Sequence, residues 1–578
     1  MLKILIEKIG EYKKETVLTP LFMLGEVAME CLIPAVMAML IDQMNTESLE
    51  PVIKYGSILL VLALVSLWCG ANSARFGAKA STGFAKNLRR DMFYNVQEFD
   101  FADIDYFSSS SLVTRMTNDI SQIQMAFQMM IRMAVRTPLM LFFSIFMAFR
   151  INHKMSLIFL GIVPILGVGL VLIFKISHPI FRRIFKRYDA LNNSVQENVA
   201  GIRVVKSFVR EDYEIKKFNQ ASEEVRSDFV KAEKVLAWNN PIQLFCIKLA
   251  KELICYLGAL TIIRTAATEL TTGELSSLIS YGVQILTSMM MFSMVFIQMA
   301  FSQEAATRIC EVLTHESQLV SPPDGIKEVK DGSIRFDHVS FRYSSTSHLA
   351  ALSDIDLDIK SGQTVGILGS TGSSKTTLIQ LISRLYDVTE GAVYVGGVDV
   401  RDYDLKTLRD AVSVVLQKNV LFSGTIKENL RWGNKEATDE EIVEACRLAQ
   451  AEEFIEQMPE KYDTMLTQGG TNVSGGQKQR LCIARALLKR PKVLILDDST
   501  SAVDTKTDAL IRRGFKEYIP ETTKIIIAQR VSSVEDSDLI IVMDGGKIVE
   551  KGNHEELMKQ GGIFKEIYDS QTKGKEEN

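Results

Sequence analysis

The sequence predicts a bundle of six membrane-spanning α-helices with long polar extensions, fused to a water-facing α/β domain. Three observations carry that expectation. Long apolar stretches fill roughly the first 300 of the 578 residues, while the remainder alternates short β-rich runs, glycine turns and charged helical segments. Within that remainder, an apolar strand, a small-residue loop and an apolar helix follow one another over 365–382. A chain this long exceeds what one hydrophobic core supports, so at least two domains are expected. The turn-prone Ser321-Pro322-Pro323-Asp324-Gly325 marks the boundary, giving a membrane domain over 1–320, a linker over 321–333 and the α/β domain over 334–578.

The expected spans are 17–41, 56–78, 126–149, 155–176, 243–265 and 275–300, each near the ~20 residues that cross ~30 Å of hydrocarbon. An even number of crossings leaves both termini on one side. Basic residues identify that side as cytoplasmic: Arg75, Lys79, Lys86, Arg89, Arg90 and Arg115 follow the second span, and Arg182, Arg183, Lys186 and Arg187 follow the fourth. The acidic loops with Glu47, Glu50, Glu269 and Glu274 then face outward, and only the turn with Arg150, His153 and Lys154 breaks the rule. Lys3, Lys8, Lys13 and Lys14 precede the first apolar run, which is read as a retained membrane segment since several more follow it.

Two long polar connections, 79–125 and 177–242, are helix-patterned, so the bundle is expected to continue well into the cytoplasm. The runs Phe101-Ala102-Asp103-Ile104-Asp105-Tyr106-Phe107 and Phe208-Val209-Arg210-Glu211-Asp212-Tyr213 lie near their midpoints, where a chain reversal places a short exposed helix.

Charges inside spans are the next lead, because an unpaired ion in hydrocarbon costs at least ~2.5 kcal/mol. Glu26 and Glu30 share one face of the first span. Two readings stand: they face a substrate cavity and attract cations, or they pair with Arg132 or Arg136 as structural glue. Lys248 and Glu252, also four apart, read as an internal ion pair. In the last span Met289, Met290, Met291, Met294 and Met299 form a flexible thioether stripe, which is usually plain core but also suits a pocket that repacks around varied ligands; Met290 and Met294 are the cavity candidates.

A net charge of -4 gives no reason to expect a nucleic-acid partner. The seven cysteines, Cys31, Cys69, Cys246, Cys255, Cys310, Cys446 and Cys482, have no metal-ligand or redox spacing and read as reduced and structural.

The strongest local signal is Gly369-Ser370-Thr371-Gly372-Ser373-Ser374-Lys375-Thr376-Thr377, between Val365-Gly366-Ile367-Leu368 and Leu378-Ile379-Gln380-Leu381-Ile382. Strand, loop and helix stand in the order a phosphate cradle requires. Backbone N–H groups and the helix N-terminus would wrap a β-phosphate, Lys375 would neutralise the β/γ-phosphates, and the Thr376 hydroxyl would ligate Mg²⁺. Glycine usually precedes the lysine, and here Ser374 does, so the loop is strained if that residue has positive φ. Val493-Leu494-Ile495-Leu496-Asp497 is a buried-strand pattern ending in an acid, placed to hold Mg²⁺ beside the phosphates. Before it, Asn472-Val473-Ser474-Gly475-Gly476-Gln477-Lys478-Gln479-Arg480 opens a helix through Ala484-Arg485-Ala486-Leu487.

With Ser-Gly-Gly-Gln directly upstream of such a strand, the chain resembles the ABC transporters over residues 15–570, and within them the type IV exporters, in which six membrane helices with long cytoplasmic extensions are fused to a P-loop ATPase domain. That resemblance implies roles residue by residue. Tyr343 matches the aromatic that stacks on adenine. Gln417 matches the glutamine that senses Mg²⁺ and the γ-phosphate while facing the membrane domain. Ser474, Gly475, Gly476 and Gln477 match the signature that closes over ATP bound to the other half of a dimer. Ser501-Ala502-Val503-Asp504 matches the loop that communicates between the two sites, with Asp504 at its end. The two cytoplasmic midpoints match the coupling helices.

Three residues depart from the pattern. Asp498 stands where the catalytic glutamate is expected; one missing methylene withdraws the carboxylate by about 1 Å, and misplacement on that scale costs ~10²-fold. Gln529 replaces a histidine, keeping a hydrogen-bonding amide but losing any cationic form. Gln468 replaces the acid just before the signature. The departures concern the chain's own ATP site, whereas its signature is intact. This distribution resembles the degenerate-site subunit of heterodimeric bacterial multidrug exporters. It implies a non-identical half-transporter partner with glutamate and histidine in place, ATP and Mg²⁺ as ligands, hydrophobic or amphiphilic small molecules as cargo, and the bacterial inner membrane as location. The alternatives are a slow homodimeric exporter of lipid, peptide or drug, and a nucleotide-gated regulator or channel that needs binding alone.

Overall fold

A computed structural model describes residues 1–44, 49–343, 349–499 and 503–576. Glu47, Ser501 and Ala502 lie outside the described residues, as do the side chains of Arg182 and Lys186. The chain forms two compact units, one of Met1–Gln97 and Ser109–His315, the other of Glu98–Ser108 and Glu316–Asn578. Residues expected as linker pack within the second unit: the Ser321 hydroxyl accepts from the Leu405 N–H at 2.9 Å, and Ile326 bridges to Tyr403.

The first unit is all-helical. Among the described residues, five of its helical stretches are long and apolar enough to cross a membrane: Gly10–Gln43, Glu50–Glu98, Ser109–Ile151, His153–Phe181 and Thr272–Thr314. The remaining expected span is the helix Asn239–Arg264, which falls short on apolarity because Lys248, Lys251 and Glu252 sit mid-length. Lys248 and Glu252 are both exposed, and among the described residues no ion pair joins them, contrary to the expected internal pair. Four-residue spacing puts both on one face of the helix, but the two long side chains are not directed at each other, so spacing alone did not decide the pair. Glu50–Glu98 spans 49 residues, about 74 Å at 1.5 Å per residue, more than twice a hydrocarbon core of ~30 Å. The expected extension of the bundle beyond the membrane follows from that length.

Side chains close some of the helix starts in this unit. Thr271 and Glu274 form a reciprocal capping box at the start of Thr272–Thr314, and Asp42 accepts from the Thr271 hydroxyl at 2.6 Å and the Gly273 N–H at 2.8 Å. A Cβ at Gly273 would overlap the Ala38 carbonyl oxygen, so this approach requires glycine. Lys154, the exception to the charge rule, sits 3.7 Å from Glu269. Phe159, Ile254, Leu278, Tyr281 and Ile285 form a buried cluster.

The second unit is an α/β domain. Its main sheet runs in the order Lys547–Gly552, Leu539–Asp544, Thr364–Gly369, Thr523–Ile527, Val493–Asp497, Val412–Val415, and only the first strand is antiparallel to its neighbour. The parallel strands are mostly continuous apolar runs because helices and a second, antiparallel sheet cover both faces, whereas the edge strand Lys547–Gly552 carries Lys547, Glu550 and Lys551. Their carboxyl ends lie along one edge, the usual place for ligands in such sheets.

Candidate nucleotide-binding site

Five strand ends supply the site. After Thr364–Gly369 comes the loop 370–374 and then the helix Lys375–Ile382; Gln417 follows Val412–Val415 by two residues; Asp497 ends its strand and Asp498 follows; Gln529 follows Thr523–Ile527 by two; Asp544 ends the strand beside Gly369. A cleft of roughly 770 Å³ is lined by Gly369 through Gly372, Ser374 through Thr377, Gln417, Asp497, Asp498 and Gln529. Ser373 is 2% exposed beneath it.

The loop geometry is steric in origin. A Cβ at Gly369 would overlap the Met543 carbonyl oxygen, so the chain turns there only with glycine. Lys375 donates to the Gly369 and Ser370 carbonyls at 2.9 and 2.8 Å and to Ser373 Oγ at 3.2 Å, folding its ammonium back over the loop. Ser374 has φ 68° and ψ 25°, left-handed, and makes no side-chain capping bond to the helix it precedes. The strain expected for a residue with a Cβ at this position is present.

Around the carboxylates the electrostatics are set by burial. Asp497 is 2% exposed and its carboxyl is pushed above the usual range by desolvation, partly offset by the Thr376 hydroxyl that donates to it at 2.9 Å and by Lys375. Burial likewise raises Asp498, against hydrogen bonds from Gln417 and Gln529; the Gln529 amide donates at 2.9 Å. Desolvation lowers the Lys375 ammonium, while both aspartates favour its charged form. Asp498 also has φ 48°, a conformation aspartate tolerates better than most residues. The donor set fits Mg²⁺: Thr376 Oγ1 and the Asp497 carboxylate are hard oxygens side by side, with Gln417 on the same wall.

Tyr343 stands beside the cleft, half-exposed, its hydroxyl hydrogen-bonded to Thr377 Oγ1 at 2.8 Å and donating to Gln380 Oε1 at 3.3 Å. Ser474 caps the helix Gly475–Leu487 in a box with Gln477, and Ser474 and Gly475 are exposed away from the cleft lining. Gly476 and Gln477 continue that helix start. Asp504 caps Thr505–Tyr518, accepting from the Thr507 N–H at 2.9 Å, which holds its carboxyl below the usual range. Sequence reasoning missed Met543, Asp544, Ile563 and Ile567, which also line the cleft. Leu539–Asp544 is an apolar strand ending in an acid, the same signal that singled out Asp497; the helix Ile563–Glu576 offered none.

In the membrane unit, Arg136 donates to Glu26 Oε1 at 2.5 Å and to both oxygens of Glu30 at 2.9 and 2.8 Å. Of the two open readings, the geometry realises the pairing with Arg136, not Arg132. Met289 packs on a buried cluster with Leu166 and Leu286, Met290 is partly buried, and Met294 is 62% exposed.

Residues 17–298 match the model of the ABC transporter transmembrane region, and residues 352–501 match that of the ABC transporter. The chain is 35% identical to the uncharacterized ABC transporter ATP-binding protein YfiB of Bacillus subtilis, over 95% of both chains. It is 35% identical to the probable multidrug resistance ABC transporter ATP-binding/permease protein YheI of the same organism, over 80% of this chain and 79% of that one. It is 30% identical to an ATP-dependent lipid A-core flippase of Desulfotalea psychrophila, over 84% of each. A solved bacterial Atm1-family ABC exporter with ATP bound shares the fold, with a TM-score of 0.82 at 22% identity over 97% of this chain and 98% of that one.

Proposed function

This chain belongs to the ABC transporter family, an exporter half with fused transmembrane and ATPase regions, and from that premise we propose that it is the degenerate-site subunit of a heterodimeric exporter. The cargo is a hydrophobic or amphiphilic compound, and the location is the bacterial cell membrane with both termini cytoplasmic. The printed names of two relatives, a probable multidrug resistance protein and a lipid flippase, support that cargo class.

One observation carries the reading: the carboxylate that follows the Mg²⁺ aspartate belongs to Asp498, and the Gln529 amide occupies one of its oxygens. In-line attack needs that carboxylate to orient water, and withdrawal by about 1 Å costs ~10²-fold. The loop N–H groups and Lys375 still bind phosphates, so the site holds nucleotide but turns it over slowly. Bound Mg²⁺, held by Thr376, Asp497 and Gln417, would neutralise charge developing on the β/γ-phosphates. The exposed signature at Ser474 serves the partner's ATP, where an intact glutamate and histidine do most of the hydrolysis. Closure over ATP is passed on through the coupling segments, opening the membrane cavity outward.

ATPase activity of the full chain alone, of the chain with a partner half-transporter, and of the Asp498→Glu, Gln529→His variant tests this. Low activity alone, restored ~10²-fold by partner or double substitution, is expected. A lone wild-type chain turning over at the partnered rate would make a homodimer sufficient and remove the proposal.

A further inference from the structure

We propose that Tyr386 is a positioning residue that links Tyr343, at the base end of the ATP site, to the segment Phe101–Phe107, so that base stacking is felt there separately from phosphate binding. The inference deepens the nucleotide-site reading above and rests on it.

The segment Glu98–Ser108 packs as part of the ATPase unit, although in sequence it lies between two membrane-unit helices. Its helix Phe101–Phe107 is closed by a capping box between Asp100 and Asp103, and the Ser317 hydroxyl donates to Asp100 at 3.1 Å. Its tie to the nucleotide site is Tyr386. The Tyr386 hydroxyl donates to Asp105 Oδ2 at 2.7 Å, and its ring meets Phe101 edge-on with centroids 6.1 Å apart. The same ring meets Tyr343 edge-on at 5.3 Å, and Phe341 packs against both at 4.9 and 5.6 Å. One side chain therefore touches the adenine-facing residue and the segment together.

Tyr386 is held too firmly to absorb a displacement. It is 9% exposed, in the turn after the phosphate-loop helix. Arg384 pairs with Asp387 through two bonds at 2.8 and 3.0 Å, and Arg409 donates to the Arg384 carbonyl at 2.8 Å. A base stacking on Tyr343 reseats that ring against the edge of Tyr386, and the hydroxyl transmits the shift to Asp105 through a charge-assisted bond. Burial raises the Tyr386 phenol well above its ordinary range, so it remains a donor throughout physiological pH.

The test uses the full chain in lipid nanodiscs, with an environment-sensitive fluorophore on Ala102→Cys, an exposed site on the segment. Cys255 is replaced by serine because the other six cysteines are buried. Mg-ATP shifts the emission, and binding is measured independently by equilibrium dialysis. Tyr386→Phe and Asp105→Asn each cut the saturating shift about threefold or more while the ATP Kd moves less than about twofold, as expected for losing one hydrogen bond outside the ligand. In a Tyr343→Ala background, saturated at higher ATP, Tyr386→Phe has no further effect. An unchanged shift in Tyr386→Phe, or an equal loss with and without Tyr343, overturns the link while leaving ATP binding intact. A chain that does not bind ATP in dialysis overturns the nucleotide-site reading itself.

Discussion

Ser374→Gly removes a Cβ from the one non-glycine position of the phosphate loop with left-handed backbone, φ 68° and ψ 25°. An L-residue held there costs about 1–2 kcal/mol. Glycine escapes that cost but returns about 0.4–1 kcal/mol through greater freedom of the unfolded chain. Because the serine side chain makes no capping bond that would be lost, the net gain is roughly 0.5–1 kcal/mol. For a domain of this size each kcal/mol moves the midpoint about 2–4 °C, so a rise of about 1–4 °C is expected. Scanning calorimetry of the full chain, following the transition of the ATPase unit, reads it. Ser374→Ala, which keeps the Cβ, is the control and stays within about 0.5 kcal/mol of wild type. If the alanine and glycine variants move together, or glycine lowers the midpoint, backbone strain at Ser374 is not the cause.

Arg136→Met strands the Glu26 and Glu30 carboxylates and destabilises the membrane unit by about 3–5 kcal/mol, whereas adding Glu26→Gln and Glu30→Gln recovers most of the loss; thermal aggregation in detergent compares the three. Asp497→Asn abolishes the slow turnover of this chain's own ATP site yet stabilises the ATPase unit at neutral pH. Burial raises the folded pKa of Asp497, so the folded state binds the proton more tightly: its stabilising contribution is complete below the unfolded pKa and is lost as pH rises through the folded pKa. The gain from asparagine therefore appears above that window and fades toward acid, a trend that melting curves at a series of pH values measure.

Much of this architecture was legible because its signals are local. Hydropathy places spans without reference to partners, and the phosphate loop is contiguous, with its strand, turn and helix written in one stretch of sequence. The asymmetry between Asp498, Gln529 and an intact Ser474 signature was equally readable, since each position is identified by its own neighbours. Even the strain at Ser374 was anticipated, because only backbone geometry was needed to decide it.

Other features depend on which distant residues meet. Arg132 and Arg136 lie one turn apart on the same helix, and only packing could assign both glutamates to Arg136. Lys248 and Glu252 have pairing distance in sequence, yet among the described residues no ion pair joins them. Met543 and Ile563 reach the cleft from strands and helices far along the chain. The chain by itself determined two domains, a set of membrane helices and a phosphate-binding loop, because period, hydrophobicity and turn chemistry act over a few residues. Tertiary structure alone decided that Glu98–Ser108 packs with the ATPase unit and that Tyr386 touches both Tyr343 and Asp105, because contact between residues hundreds apart is set by packing.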